Sequence, residues 1–210
     1  MRLAIFGAED GMGRALTETA LEAGHAVRTH ASELREYPLR SLDYDRLTVT
    51  EGDAYDVRAV EDMLRDADAV CSAIGRNTDR PPGVTPSEGT ANVLGAMDQF
   101  LVPRIVSASA VGVGNSADHV SLGHRLRGLF DRDRLADLER QERLLRESDS
   151  EWVVVRSPRL TNGPRTDDYR VGTDVETDLR SSVSRVDLAA FMIAQATEDT
   201  YLRRAVTIAD

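Results

Sequence analysis

Three glycines fall within the short segment Gly7-Ala8-Glu9-Asp10-Gly11-Met12-Gly13. An apolar run, Leu3–Phe6, leads into it, and a stretch of helical period, Met12–Ala23, follows. A glycine pattern between a buried strand and an amphipathic helix can do specific chemistry. Gly7 permits a tight turn, Gly11 lets the backbone approach a pyrophosphate, and Gly13 lets helix and strand pack closely. The helix start adds unpaired N–H groups and the positive end of a dipole, both suited to phosphate. Glu9, Asp10 and Met12 are the intervening residues that such a group would lie against. The alternative is a glycine-rich turn with no ligand.

Two further groups of residues could touch a substrate. Arg76 and Asn77 follow the apolar run Ala69–Ile74 and its closing Gly75. They fall at the carboxyl edge of a strand, where open α/β sheets bind ligands. There they could recognise an anion or simply be surface charge. His119 and His124 lie in Ala110–Gly128, a stretch rich in Gly, Ser and His with little periodicity, which reads as a long functional loop with room for a helical part. Histidines in such loops are either solvated or in contact with substrate.

The elements that must hold these residues alternate in type. Apolar runs predict strands at Leu3–Phe6, Ala26–Ala31, Leu47–Thr50, Ala69–Ile74, Arg104–Ser107, Trp152–Arg156 and Arg203–Ala209. Segments of helical period predict helices at Met12–Ala23, Val57–Leu64, Glu88–Phe100 and Arg134–Glu147, the last with Leu135, Leu138, Leu144 and Leu145 as its buried edge. Ser184 three residues before Asp187 is a capping-box signal for a late helix. Cys71 and Trp152 read as core, and Tyr37, Tyr44, Tyr55, Tyr169 and Tyr201 as surface or edge residues. Repeated βα units predict an α/β protein of the Rossmann type: one domain, a doubly wound parallel sheet with helices on both faces, and substrate-side loops near 76–86, 110–128 and 157–183.

Bulk composition narrows the classes. A chain of 210 residues, 41% of them hydrophobic, fills one α/β domain. No apolar run is long enough to span a membrane, so a soluble, cytoplasmic protein is expected. A single cysteine and no Cys/His cluster argue against a disulfide or a metal site. Net charge −10 argues against nucleic acid and anionic membranes as partners. Every basic side chain other than histidine is arginine, with no lysine present, and 22 aspartates outnumber 14 glutamates. That balance suggests a salt-adapted (halophilic) host.

Further motifs carry a resemblance. The Gly-x-x-x-Gly-x-Gly turn, Gly52-Asp53 and Ala73-Ile74-Gly75 resemble the short-chain dehydrogenase/reductase superfamily. The segments Ser87–Met97, Pro103–Gly112 and Glu142–Pro164 look like its atypical NAD(P)H-binding branch, which includes NmrA-like proteins and biliverdin reductase B-type flavin reductases. The resemblance implies that Asp53, with Ala54, contacts adenine, the alternative for Asp53 being a turn aspartate after Gly52, and that Ala73, Ile74 and Gly75 line the cofactor's ribose side. It places Ser109 beside the nicotinamide, as the candidate catalytic residue, and Pro158–Leu160 as a cover. Where the family commonly has a basic residue after the second strand, this chain has Ser32, with Arg35 three residues on. NADP is favoured, Arg35 holding its 2′-phosphate; NAD is possible if Glu33 reaches the ribose.

Without lysine, the Tyr-x-x-x-Lys pair by which typical members protonate a carbonyl cannot exist. The resemblance then implies hydride transfer to a conjugated acceptor such as a flavin or quinone, which stabilises the resulting anion itself. The competing reading is an NmrA-like redox sensor that binds the dinucleotide without turnover. The expected partner is a small-molecule substrate, and the expected assembly a monomer or small homo-oligomer.

Overall fold

The computed structural model describes residues 1–35, 37–39, 44–75, 85–121, 123 and 131–210. Strand β1 (Arg2–Phe6) enters α1 (Gly11–Glu22) through the glycine turn, and Gly24, at φ +84°, stops that helix before β2 (Ala26–Ala31). After β3 (Leu47–Glu51), the Asp56 carboxylate caps α2 (Val57–Leu64) by accepting from the Arg58 amide at 2.9 Å. Strand β4 (Ala69–Ser72) is buried at every residue. Helix α3 (Pro86–Phe100) starts at a box in which the Thr85 amide donates to Glu88 Oε2 at 3.0 Å. Strand β5 (Arg104–Ala110), a 3₁₀ turn at Gly114–His119, α4 (Arg132–Glu147) and β6 (Glu151–Ser157) follow. The last part holds β7 (Arg159–Thr161), β8 (Arg170–Gly172), β9 (Ser182–Ser184), α5 (Arg185–Gln195) and β10 (Arg204–Ala209).

The main sheet runs β3-β2-β1-β4-β5-β6-β10-β8, parallel except for β8, which pairs antiparallel with β10. Its register aligns Ile5 with Cys71, Cys71 with Val106 and Val106 with Val153. Alternate side chains therefore leave on opposite faces. Leu3, Ile5, Cys71, Val106 and Val153 pack with Leu16 and Ala20 of α1 and Leu188 and Met192 of α5. Ala4, Phe6, Val70, Ile105 and Val154 pack with residues of the other helices, including Val60, Met63, Val93, Met97 and Leu145. Strand order reverses between β1 and β4, and the carboxyl ends of the strands open there into a crevice.

The predicted doubly wound sheet is thus present, with several local differences. The stretch 157–183 carries β7 and β8, and β7 joins β9 in a second, two-stranded parallel sheet. Three-residue strands are too short to register as a period. The helical part allowed for in the loop at 110–128 is, by contrast, present as the 3₁₀ turn. Tyr37, read as a surface residue, is buried in the cluster that holds α1. Helix α4 buries Leu138 and Leu145, as expected, but also Asp137, Gln141 and Glu142, while Leu135 and Leu144 are only partly covered. A polar edge is tolerated because each group meets a partner: Asp137 accepts from the Ser87 amide at 3.0 Å, and Gln141 Nε2 donates to Thr90 Oγ1 at 2.8 Å.

Candidate functional site

At the glycine turn, two of the three glycines are required by backbone packing. Gly7 sits at φ +78°, and a Cβ there would lie 2.5 Å from the Ala73 carbonyl oxygen. A Cβ on Gly13 would lie 2.0 Å from the Gly7 carbonyl, so this residue brings α1 against the end of β1. Gly11 differs: a Cβ there would meet only the side chain of Arg185, with Nε at 3.1 Å. The residue midway between Gly7 and Gly13 is Asp10, whose Oδ1 accepts from the amides of Met12 at 2.9 Å and Gly13 at 3.0 Å. The chain's own carboxylate thereby occupies amides that the sequence reading offered to phosphate. Burial raises the Asp10 pKa above the ordinary value, and Glu9 adds to the rise, against the two amide bonds and the nearby Arg185 guanidinium. Arg185, the first residue of α5, is held by donation from Nη1 to Asn162 Oδ1 at 2.6 Å.

One step along the crevice, Glu9 is tied to the tip of β2. Its Oε1 accepts from the Ser32 amide at 2.8 Å and from the Ser32 hydroxyl at 2.6 Å. Arg35 is exposed. Asp53 Oδ1 accepts from the amides of Tyr55 at 2.7 Å and Asp56 at 3.0 Å, forming the turn that leads into α2. Ala54 beside it is buried, and its carbonyl accepts from Asn92 Nδ2 at 3.1 Å.

From Asp10 and Met12 a cavity of about 620 Å³ runs past Ala73, Ile74 and Gly75 to Ser109, with Pro158 and Leu160 on its far wall. Eight of the sequence-predicted residues therefore meet in one space. Gly7, Glu9, Gly11, Gly13, Ser32, Arg35, Asp53, Ala54 and His119 do not line it, although the first four belong to the turn at its edge. His119 Nε2 lies 3.7 Å from Asp174 Oδ1, while its neighbours Ala117 and Val120 face the cavity. Arg76, Asn77 and His124 lie outside the described residues. The sequence reading missed the wall made by Leu135 and Leu138 of α4, by Leu179 and by Leu188, and the rim pair Asp131–Arg134 at 3.1 Å.

It also missed what stands behind Ser109. The Ser109 hydroxyl donates to Glu142 Oε1 at 2.7 Å. Glu142 is 1% exposed and accepts from Arg156 twice, Nε to Oε1 at 2.9 Å and Nη2 to Oε2 at 2.7 Å. Arg146 Nη2 reaches Oε2 at 2.6 Å, and Arg156 Nη1 donates to Asn115 Oδ1 at 2.7 Å. Such a bidentate, charge-assisted pair compensates the desolvation of both ions. With its proton committed to Glu142, Ser109 turns lone pairs toward the cavity and can accept a hydrogen bond there. Among the described residues no histidine, tyrosine or cysteine lines the cavity, and no group of three or more His, Cys, Asp and Glu side chains could hold a metal ion.

The geometry suits a dinucleotide. The glycine turn brings the ends of β1 and β4 and the start of α1 together as a cradle, and the cavity beyond it is in the size range of small-molecule sites. No described helix is long and apolar enough to cross a membrane.

Comparison with known proteins agrees. A short-chain dehydrogenase/reductase from Veillonella parvula, crystallised with NADP, superposes with a TM-score of 0.82 at 20% identity, covering 100% of this chain and 94% of that one. ChuY, an anaerobilin reductase of Escherichia coli, gives 0.81 at 20% identity over 99% and 96% of the two chains. An oxidoreductase of Lactococcus lactis gives 0.79 at 13% identity over 99% and 90%. A family model described as NAD(P)H-binding matches residues 7–199. The chain therefore belongs to the NAD(P)H-binding family, and it shares the fold of these reductases.

Proposed function

We propose that this protein is an NAD(P)H-dependent oxidoreductase that passes hydride to a conjugated acceptor such as a flavin or quinone. The observation that carries the reading is the continuous cavity running from the glycine turn to Ser109, whose hydroxyl proton is committed to Glu142. A bound reduced dinucleotide supplies the hydride. The chain supplies orientation and a dry wall. The glycine turn and Ala73–Gly75 hold one end, and Ser109 accepts a hydrogen bond from whatever N–H or O–H lies against it. Leu138, Leu160 and Leu188 exclude water from the apolar wall. The described lining has no histidine, tyrosine or cysteine to serve as a general acid, so solvent supplies the proton that completes reduction. An acceptor that delocalises the incoming electron pair tolerates that arrangement; a simple ketone does not.

The room beside Ser109 favours this reading over a non-catalytic redox sensor, in which the nicotinamide face needs no space for a second ring. Steady-state oxidation of NADH and NADPH against flavins, quinones and aldehydes, at low and molar salt, tests it. Turnover is expected with at least one flavin or quinone and with no simple aldehyde. Tight dinucleotide binding with no turnover against any acceptor would transfer the assignment to the sensor.

A further inference from the structure

The end of β2 is where a dinucleotide of this fold presents the 2′ position of its adenosine ribose, and the residues there decide between a hydroxyl and a phosphate. In this chain that position carries a carboxylate delivered from the glycine turn. Glu9 Oε1 takes both donors of Ser32, the amide at 2.8 Å and the hydroxyl at 2.6 Å, and among the described residues Oε2 accepts no hydrogen bond. We infer that Glu9, clamped on Ser32, makes the protein selective for NAD(H) over NADP(H), an inference that rests on the dinucleotide reading above.

The chemistry runs one way. A ribose 2′-hydroxyl is a donor, and the unoccupied Oε2 of Glu9 is an acceptor held in place by the two bonds on Oε1. A 2′-phosphate carries no comparable donor, and it would meet a carboxylate while the Ser32 hydrogens are already engaged. Arg35, which the sequence reading assigned to that phosphate, is exposed three residues further on. Net charge −10 supplies no general attraction for the additional anion. The determinant differs from the usual one, in which the carboxylate belongs to the strand itself.

Equilibrium titration of the full chain with NADH and with NADPH, at one low ionic strength and read by nicotinamide fluorescence, tests the inference in wild type and in Glu9→Gln. Wild type is expected to bind NADH at least about tenfold more tightly, the scale of one like-charge contact. Glu9→Gln retains an acceptor for Ser32 and removes the charge, so the ratio should move toward unity, chiefly by a gain in NADPH affinity. A damaged fold would weaken both ligands alike and leave the ratio untouched. Equal or tighter NADPH binding in wild type overturns the inference and leaves the dinucleotide reading standing; so does an unchanged preference in a Glu9→Gln that binds NADH as tightly as wild type and is therefore folded. Binding of neither ligand overturns the dinucleotide reading, and this inference with it.

Discussion

Ser109 and Glu142 lie on β5 and α4, 33 residues apart, and meet through a 2.7 Å hydrogen bond in which the serine is the donor. That direction of donation leaves Ser109 as an acceptor toward the cavity, and on the proposed function it positions a ligand there. Ser109→Ala should lower turnover by roughly 2- to 13-fold, the worth of one neutral hydrogen bond of about 0.5–1.5 kcal/mol. The dinucleotide dissociation constant should stay nearly constant. A fall in kcat beyond about a thousandfold would mean that Ser109 moves a proton or stabilises developing charge.

The pair behind Ser109 has a separate, structural consequence. Glu142 and Arg156 are each 1% exposed, so removing one partner leaves the other charge buried. Glu142→Gln should cost about 3–5 kcal/mol. For a chain of this size that is a drop in Tm of roughly 6–20 °C. The double variant Glu142→Leu/Arg156→Met should recover a large part of the loss. Thermal denaturation of the two variants checks both statements; a silent Glu142→Gln would contradict the buried-pair assignment.

Asp10 makes stability and binding depend on pH. Its folded-state pKa is raised above the unfolded value, so the folded chain holds that proton more tightly than the unfolded chain does. The corresponding stability is fully present below the ordinary carboxylate value of 3.8 and is lost as pH rises through the raised folded value. Asparagine caps helices as well as aspartate. Asp10→Asn should therefore keep α1 capped, raise Tm relative to wild type at neutral pH, and lose that advantage in acid. The same change removes a negative charge from the amides of Met12 and Gly13, so the reduced dinucleotide should bind more tightly at neutral pH. Paired Tm–pH and binding measurements check the sign; a variant less stable than wild type at neutral pH would refute it.

Salt should stabilise the fold. Like-charge repulsion at net charge −10 is screened as the Debye length shrinks from about 10 Å at 0.1 M to about 3 Å at 1 M salt. Tm should rise steadily with KCl over that range. A flat or falling Tm would remove the basis for salt adaptation in the lysine-free, aspartate-rich composition.

What could be read from the chain alone follows a physical division. Gly7 and Gly13 were legible because backbone packing demands glycine between a buried strand and a helix, and Ser184 with Asp187 because a capping box is local, here with the Asp187 amide donating to Ser184 Oγ at 2.9 Å. The β/α order was legible because alternating burial leaves a period. Glu142 and Arg156 were not, since an acidic residue on a charged helix reads as solvated until the strand carrying its partner is placed beside it. Asp10 was read as part of a phosphate loop, and its own capping bonds depend on a backbone conformation that the spacing of glycines does not specify. The Glu9–Ser32 contact joins two loops 23 residues apart and leaves no pattern in either.

Whether the cavity brings reduced nicotinamide and acceptor together is tested most directly by single-turnover mixing of the protein, loaded with whichever of NADH and NADPH it binds more tightly, with a quinone or flavin, in wild type and in Leu138→Trp. Leu138 is 5% exposed on the wall of the cavity, apart from the Gly7–Gly13 turn, so tryptophan there fills acceptor space and leaves the cradle intact. Loss of reduced-nicotinamide absorbance should be fast in wild type. In Leu138→Trp it should slow by at least about tenfold, a barrier increase of about 1.4 kcal/mol, with affinity for the reduced dinucleotide retained as the sign that the variant is folded. Transfer at the wild-type rate in a folded Leu138→Trp, or no transfer at all from the wild-type complex, would contradict the assignment of this cavity as the place of hydride transfer.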